Sequence, residues 1–405
     1  MATFESLKIA QLVESGEAKL QTGPFGTQLK ASDYVDDGIP VINVRNVGFG
    51  NIRNKDLEFL DEKMVEKLSA HLLKEGDIVF GRKGAVERHA FIDTEGVGWI
   101  QGSDCLRLRI RSDRINNRFI SYYLRTQAHQ DWMQALCSFG ATMASLNQDI
   151  VKLITIPVLP IDAQHKIAAV LSAYDDLIEN NKRRIALLEK MAEEIYREWF
   201  VRFRFPGYQT AEFEKGIPKG WEVHRISTIV DRKKFGRIYR ESELNPSGQV
   251  VVVDQSREEY LGFYDGPAEH NASIQKPMII FGDHTCKLVL MHRNFSLAEN
   301  VIPFLPKNNM AVHFLFHLIK NKAVQTEYKR HWTDLTVQQV LLPPPFIQDL
   351  FATKVRPSYE LIESLKEQTR ILAATKNLLL PRLISGKLSV ENLDIQFPPS
   401  MQEAN

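Results

Sequence analysis

At 405 residues, with 44% hydrophobic and 25% charged positions, the chain is too long for one comfortable core and has the composition of a globular protein of two or three units. A net charge of +1 gives no global electrostatic signature, so nucleic-acid binding has to rest on local basic clusters. No apolar run reaches the ~20 residues of a membrane span, no charged leader with an apolar core opens the chain, and three cysteines without metal-ligand spacing fit a reducing cytoplasm.

Residues 1–158 read as a mixed α/β domain, with short apolar runs at 38–47, 76–85 and 105–111 predicting strands between turns. The turn at 23–30, GPFGTQLK, carries Thr27, Gln28 and Lys30, and Gly81-Arg82-Lys83-Gly84 is a glycine-bounded loop presenting two cations. Both suit a polyanion. The second loop resembles a phosphate cradle only loosely, lacking its strand-to-helix context and the Ser/Thr that would hold magnesium, and a solvated hairpin or a DNA-contacting loop are the favoured readings. Arg107, Arg109 and Arg111 alternate along one strand, as a solvated strand face does. An amphipathic helix at 117–126 is expected to dock on the sheet, and Ser145-Leu146-Asn147-Gln148 to precede an apolar strand at 150–156.

Residues 159–205 are expected to form a long helix. Between 162 and 200 there is no Gly or Pro, and Ile167, Leu171, Tyr174, Ile178, Asn181, Ile185, Leu188, Ala192, Ile195 and Trp199 follow alternating steps of four and three, the seam of a coiled coil. Leu177, Leu187 and Met191 widen the stripe. Asn181 interrupts the seam, which fits a register-fixing polar group or a point where water enters. As a ruler, these 39 residues span at most ~58 Å.

A boundary near Pro206 opens a second domain at 206–343, with strands expected at 250–253, 277–287 and 300–305 and a docking helix at 313–321. In the run 232–240, Arg232, Lys233, Lys234 and Arg237 are interleaved with aromatics, suiting phosphate contacts as well as a plain soluble loop. His284 stands beside Asp283 and Cys286, but neighbours on a strand face opposite ways, so a turn or groove-facing histidine is favoured over a metal ligand or nucleophile. A second long helix is expected at 344–386, with Tyr359, Ile362, Leu365 and Leu372 on its apolar side, and a loosely held tail at 387–405.

The two halves repeat. Pro157 and Pro343 lie 186 apart, Pro160 and Pro345 185 apart, and Gln164 and Gln348 184 apart, as do Leu177 and Leu361 and then Leu187 and Ile371. The fold class expected is α+β: two similar mixed α/β domains separated by two long antiparallel coiled-coil helices, as an internal repeat.

The sequence holds no G-x-x-x-x-G-K-[ST], no G-x-G-x-x-G opening a helix, no H-E-x-x-H and no Asn-Pro-Pro-aromatic run. What it does hold are strand, proline turn and glutamine in IPVLPIDAQ (156–164) and LLPPPFIQ (341–348), each followed by a long helix, together with GPFGTQLK, GIPVINVRNV (38–47), GDIVFGRKG (76–84) and LLLPRLISGKL (378–388). In this combination, over nearly its whole length, the chain resembles the specificity subunit of type I restriction-modification enzymes.

That resemblance implies two target-recognition domains, each reading half of a bipartite site in double-stranded DNA, and helices that space them and dock two methyltransferase subunits. Restriction and translocase subunits would complete the complex. S-adenosylmethionine, ATP and Mg would belong to those partners, and this chain would be non-catalytic and cytoplasmic. Residues expected to meet DNA are Thr27, Gln28, Lys30, Arg45, Asn46, Arg82, Lys83 and Arg88 in the first domain, and Arg232, Lys233, Lys234, Arg237, Gln255, Arg257, His284 and Lys287 in the second. No GPFG-like turn is visible after Trp221, and Gly282-Asp283-His284-Thr285 stands where the first domain has Gly81-Arg82-Lys83-Gly84. A stand-alone nuclease or hydrolase dimerised by its coiled coil is the principal rival, without a convergent carboxylate or Ser/His constellation in the sequence. A coiled-coil scaffold that meets no nucleic acid is the third reading.

Overall fold

In a computed structural model of the chain, the structure describes residues 5–138, 144–256, 258–323 and 330–401. These fall into two compact units, Met1–Glu179 with Arg370–Asn405, and Asn180–Thr369.

The first unit opens with β1 (Glu5–Lys8), α1 (Ile9–Glu14) and β2 (Ala18–Thr22), followed by β3 (Ile39–Ile42), β4 (Glu58–Leu60), α2 (Glu62–Lys67), β5 (Ile78–Gly81), β6 (His89–Phe91), β7 (Ile100–Gln101) and β8 (Cys105–Ile110). Two sheets result. One is antiparallel in the order β2-β8-β5-β6, and the other has the order β4-β3-β7 with β3 parallel to β7. Three helices follow: α3 (Asn117–Leu124), α4 (Gln127–Ser138) and α5 (Gln148–Leu153).

The apolar run at 150–156 is thus helical at its start, and only β9 (Thr155–Val158) is a strand, paired with β1 through Leu7 and Ile156. The reason is local. Asn147 caps the helix by accepting a 2.9 Å hydrogen bond from the Ile150 N–H, a signal that apolar content alone does not carry.

The arginines of β8 correct a second expectation. Arg107 is 1% exposed, its guanidinium donating to the carbonyls of Ala70 and Leu72 and to Gln21 Oε1, while Arg109 is paired with the buried Asp77 at 2.6 Å. The face these two arginines occupy is covered by the 70–77 segment rather than by water.

The core of this unit joins Ile78, Phe80, Leu106, Leu108, Phe119 and Tyr122 to Ile167 and Leu171 of α6 (Ile161–Tyr196) and to Leu383 and Ile384 of α10 (Pro345–Ile384). Tyr122 of α3 and Asp175 of α6 share a 2.8 Å hydrogen bond; Asp175 also pairs with Arg125 at 2.9 Å and with Lys376 of α10 at 2.6 Å. The tail expected to be loose is held here: Val390 is buried, Ile395 and Met401 pack on the core, and the Ser400 N–H and carbonyl bond Asp176 and Arg118.

In the second unit, two short strands, β10 (Phe213–Glu214) and β11 (Ile217–Pro218), precede β12 (Glu222–Arg225), α7 (Ile226–Ile229) and β13 (Val230–Arg232). Then come β14 (Val250–Val253), β15 (Gly262–Tyr264), β16 (Met278–Gly282), β17 (Leu288–Met291), β18 (Phe295–Leu297), β19 (Val301–Pro306), α8 (Val312–Lys320), α9 (Trp332–Thr336) and β20 (Gln339–Leu342). Sheet orders β13-β19-β16-β17 and β15-β14-β18, with β12 paired to β20, reproduce those of the first unit strand for strand. The repeat read from the sequence is therefore a repeat of topology.

Phe200 lies where the end of α6 meets this unit, its ring 4.8 Å from Phe314 of α8 and 5.2 Å from Phe351 of α10. Residue 175 meets residue 376 in the first unit, and Tyr196 meets Phe351 in the second, so α6 and α10 run antiparallel. Asn181 is 6% exposed in the seam, but Leu177, Leu187 and Met191, expected to widen the packed stripe, are 53, 61 and 57% exposed.

Asp175 gives the first stability prediction. Burial raises its pKa, but the cations of Arg125 and Lys376 and the hydrogen bonds from Lys376 and Tyr122 more than reverse this, leaving it below the usual value. A lowered carboxyl pKa stabilises above the unfolded value of about 3.9 and is lost as pH falls through the folded one. With the side chain 32% exposed, Asp175→Ala is expected to cost about 2–3 kcal/mol, below the 3–5 of a fully buried pair. Thermal unfolding should show the difference from wild type at pH 7 and its loss as pH falls below the unfolded carboxyl value of about 3.9 and through the lower folded one.

Candidate nucleic-acid interface

Register places one end of the first sheet at Thr22, Cys105, Gly81 and His89. The loops leaving that end are the 23–30 turn, the 102–104 turn and the 82–88 loop, and backbone bonds tie them together. Gly23 N–H donates to the Cys105 carbonyl at 2.9 Å, Arg82 N–H to that of Asp104 at 2.9 Å, and Leu146 N–H to that of Arg82 at 2.8 Å. Gln148 donates to Thr22 Oγ1 at 3.0 Å. Gly23 has no alternative residue, because a Cβ there would lie 1.9 Å from the Gly102 carbonyl oxygen.

On this frame Thr27, Gln28, Lys30 and Lys83 are exposed, Lys83 being paired with Asp104 at 3.3 Å across a half-solvated gap. Arg82 and Arg88 are half-buried, and the Arg88 guanidinium lies 5.0 Å over the exposed ring of Phe49. Six of the eight residues expected to meet DNA in the first domain thus leave one sheet end. The other two have work elsewhere. Asn46 is fully buried, its amide donating to the carbonyls of Arg53 and Lys55, so it holds a loop and reaches no ligand. Arg45 is bound to Glu58 at 2.9 Å and to the Asp56 carbonyl.

The second sheet has the equivalent end at Arg232, Val301, Gly282 and Leu288. Arg232 and Lys234 are exposed there, with Arg232 lying 4.8 Å over the Phe235 ring. Lys233 and Arg237 are paired with Asp231 and Glu243, so the basic run is partly neutralised by its own neighbours. Asp283, His284, Thr285 and Cys286 lie in a turn rather than on a strand, and Gln255 Oε1 accepts the His284 N–H at 3.0 Å. Gln255 is therefore a brace for this turn. Lys287 is likewise structural: its ammonium donates to the carbonyls of Asp254 and Glu258, and burial draws its pKa down. Arg257 lies outside the described residues.

The turn that sequence reading did not find after Trp221 is present. Phe25-Gly26 follows β2 as Phe235-Gly236 follows β13, the glycines having φ of +63° and +71°. Four residues past each glycine, the N–H of Lys30 and of Arg240 is capped by a carboxylate three residues on, Asp33 and Glu243. Gly23 and Pro24 of the first turn are Lys233 and Lys234 in the second. What repeats is Phe-Gly followed by a cation and then an acid.

Burial, with Asp283 nearby, pushes the Cys286 thiol up, which disfavours the Cys-His nucleophile weighed above. Among the described residues no group of three His, Cys, Asp or Glu is placed to hold a metal, and no helix is long and apolar enough to cross a membrane.

Residues 3–190 match the model of the type I restriction modification DNA specificity domain. The chain is 26% identical over 82% of its length, and 82% of the relative's, to the type I restriction enzyme MjaIX specificity subunit of Methanocaldococcus jannaschii. It is 22% identical, over 87% of the chain and 88% of the relative, to a putative MjaX specificity subunit of the same organism. The crystal structure of the type I restriction-modification S subunit from M. genitalium is similar in fold, with a TM-score of 0.58 at 16% identity over 95% of this chain and 97% of that one.

The two lysines at equivalent sheet ends should separate on substitution. Lys287→Ala removes a half-buried cation bonded to two carbonyls and is expected to cost about 1.5–3 kcal/mol, whereas Lys83→Ala should stay within about 0.5 kcal/mol. Denaturant unfolding of both variants measures this directly.

Proposed function

We propose that this chain, a relative of type I restriction-modification specificity subunits whose residues 3–190 belong to that domain family, reads a bipartite DNA target with one half-site per unit. The observation that carries this is the duplicated sheet end: the same four-stranded order, in both units, sends cation-bearing loops from the same edge. Loop cations position a protein on phosphates, and side chains among them, Thr27 and Gln28 here, reach base edges. Asn181 fixes the register of the helix seam in this reading.

The helices dock two methyltransferase subunits. In support, exposed apolar residues recur at equivalent positions, Leu177 with Leu361 and Leu187 with Ile371, while the next residue in each pair turns inward. An apolar side chain repeatedly left in water on a packed helix marks a surface that a partner covers. Adenine methylation, with S-adenosylmethionine, and ATP-driven translocation and cleavage are then the partners' chemistry.

Co-expression with a methyltransferase subunit, followed by mapping of methylated adenines, tests the assignment. The expected motif has two specified halves and an unread gap, and exchanging residues 206–343 for those of a relative should change one half alone. A motif without a gap, or one changed in both halves, would refute it. On the helices, Leu187→Glu together with Ile371→Glu should weaken methyltransferase binding at least tenfold in a titration while leaving the melting temperature of this chain unchanged. For the sheet end, Arg82→Ala should cost about 1–3 kcal/mol of DNA affinity and relax one position if the arginine reads a base, or lower the salt slope by about one if it meets a phosphate.

A further inference from the structure

The two Phe-Gly turns are equivalent in the chain and opposite in what they do with the ring. Phe235 is half-buried against the cluster of Val251, Val253, Met278 and Phe295, has the Arg232 guanidinium over its face, and its carbonyl accepts from His270 at 3.0 Å. Phe25 is 67% exposed. Its turn is nonetheless fixed on both sides, by Gly23 against the Gly102 carbonyl and by Leu29, buried with Val41, Leu60 and Ile100. A rigid turn that holds an aromatic ring in water at the same sheet end from which the loop of Arg82, Lys83 and Arg88 leaves pairs an apolar probe with cations suited to phosphate.

We propose that Phe25 is a base-contacting residue of the first half-site, its ring seated against the face of a base at an opened step, and that Phe235 is a core residue of the second unit with no such contact. This rests on the DNA-reading assignment above and deepens it. The ring has no hydrogen-bonding group, so its contribution comes from stacking and the exclusion of water, and it depends little on salt. That separates it from the surrounding cations, whose contribution falls as salt rises.

The test uses the complex with methyltransferase subunits and a duplex carrying the mapped target, with 2-aminopurine placed in turn in each half-site. Phe25→Ala is expected to weaken binding roughly 5- to 100-fold, with the salt slope and melting temperature unchanged, and to abolish the 2-aminopurine fluorescence rise in the first half-site only. Phe25→Trp should retain the rise. Phe235→Ala should lower the melting temperature of the chain and leave the fluorescence of the first half-site intact. Specific binding by the wild type with an unchanged Phe25→Ala affinity overturns the inference alone. Affinity lost without any wild-type fluorescence change in either half-site replaces base stacking by a surface contact and also overturns it. A wild-type complex with no sequence preference overturns the DNA-reading assignment itself.

Discussion

Each long helix carries in its first turn a glutamine whose side chain folds back across the helix start, and the joint between strand and helix within each unit depends on this contact. Gln164 donates to the carbonyls of Leu159 and Arg114 and accepts the Asn116 N–H, all at 2.8 to 2.9 Å. Gln348 makes the same backward bond to the Pro343 carbonyl at 2.8 Å. A helix start leaves its first N–H groups unpaired and the incoming strand leaves carbonyls unpaired; a buried amide satisfies the latter while fixing the angle between strand and helix. In the first unit the same amide also holds Asn116, the cap of α3, so the helix start and the docking helix are fixed by one side chain.

From that start the docking helix repeats its position with different chemistry. Tyr122 of α3 bonds Asp175 of α6, and at the equivalent place His317 of α8 bonds Tyr359 of α10 at 2.9 Å. The first unit gathers ions, with Arg125 and Lys376 around one carboxylate. The second uses neutral rings, and burial, with Lys320 and His313 nearby, draws the His317 pKa down to about 3. Since residues 175 and 359 are 184 apart, the geometry of the repeat has survived a complete change of partner chemistry.

The same divergence runs through the sheet ends. Backbone order and turn conformation are kept, while the side chains at the loops differ: free-standing Phe25 against covered Phe235, and Arg82 and Lys83 against Asp283 and His284. A scaffold fixed by strand order and backbone bonds leaves loop side chains free to vary, as the proposed reading of two different half-sites requires.

The sequence by itself determined the long helices, the repeat and the positions of most strands. A four-three apolar spacing over 39 residues and apolar runs between glycine turns are local signals with few competing solutions. It also carried the candidate loops of the first domain, because glycine turns place Thr27, Gln28, Arg82 and Lys83 at strand ends whatever the sheet does. Tertiary structure alone decided which polar groups are occupied within the protein. Arg107, Asn46, Gln255 and Lys287 look in sequence like Arg82 or Gln28. Distant segments close over Arg107, Gln255 and Lys287, and Asn46's own loop folds back onto it, bringing carbonyls and amides within reach. It also decided the tail, whose polar composition hides the few apolar contacts, Val390, Ile395 and Met401, that hold it to the first unit. Periodicity records how a residue faces its own element, whereas burial depends on what arrives from elsewhere in the chain.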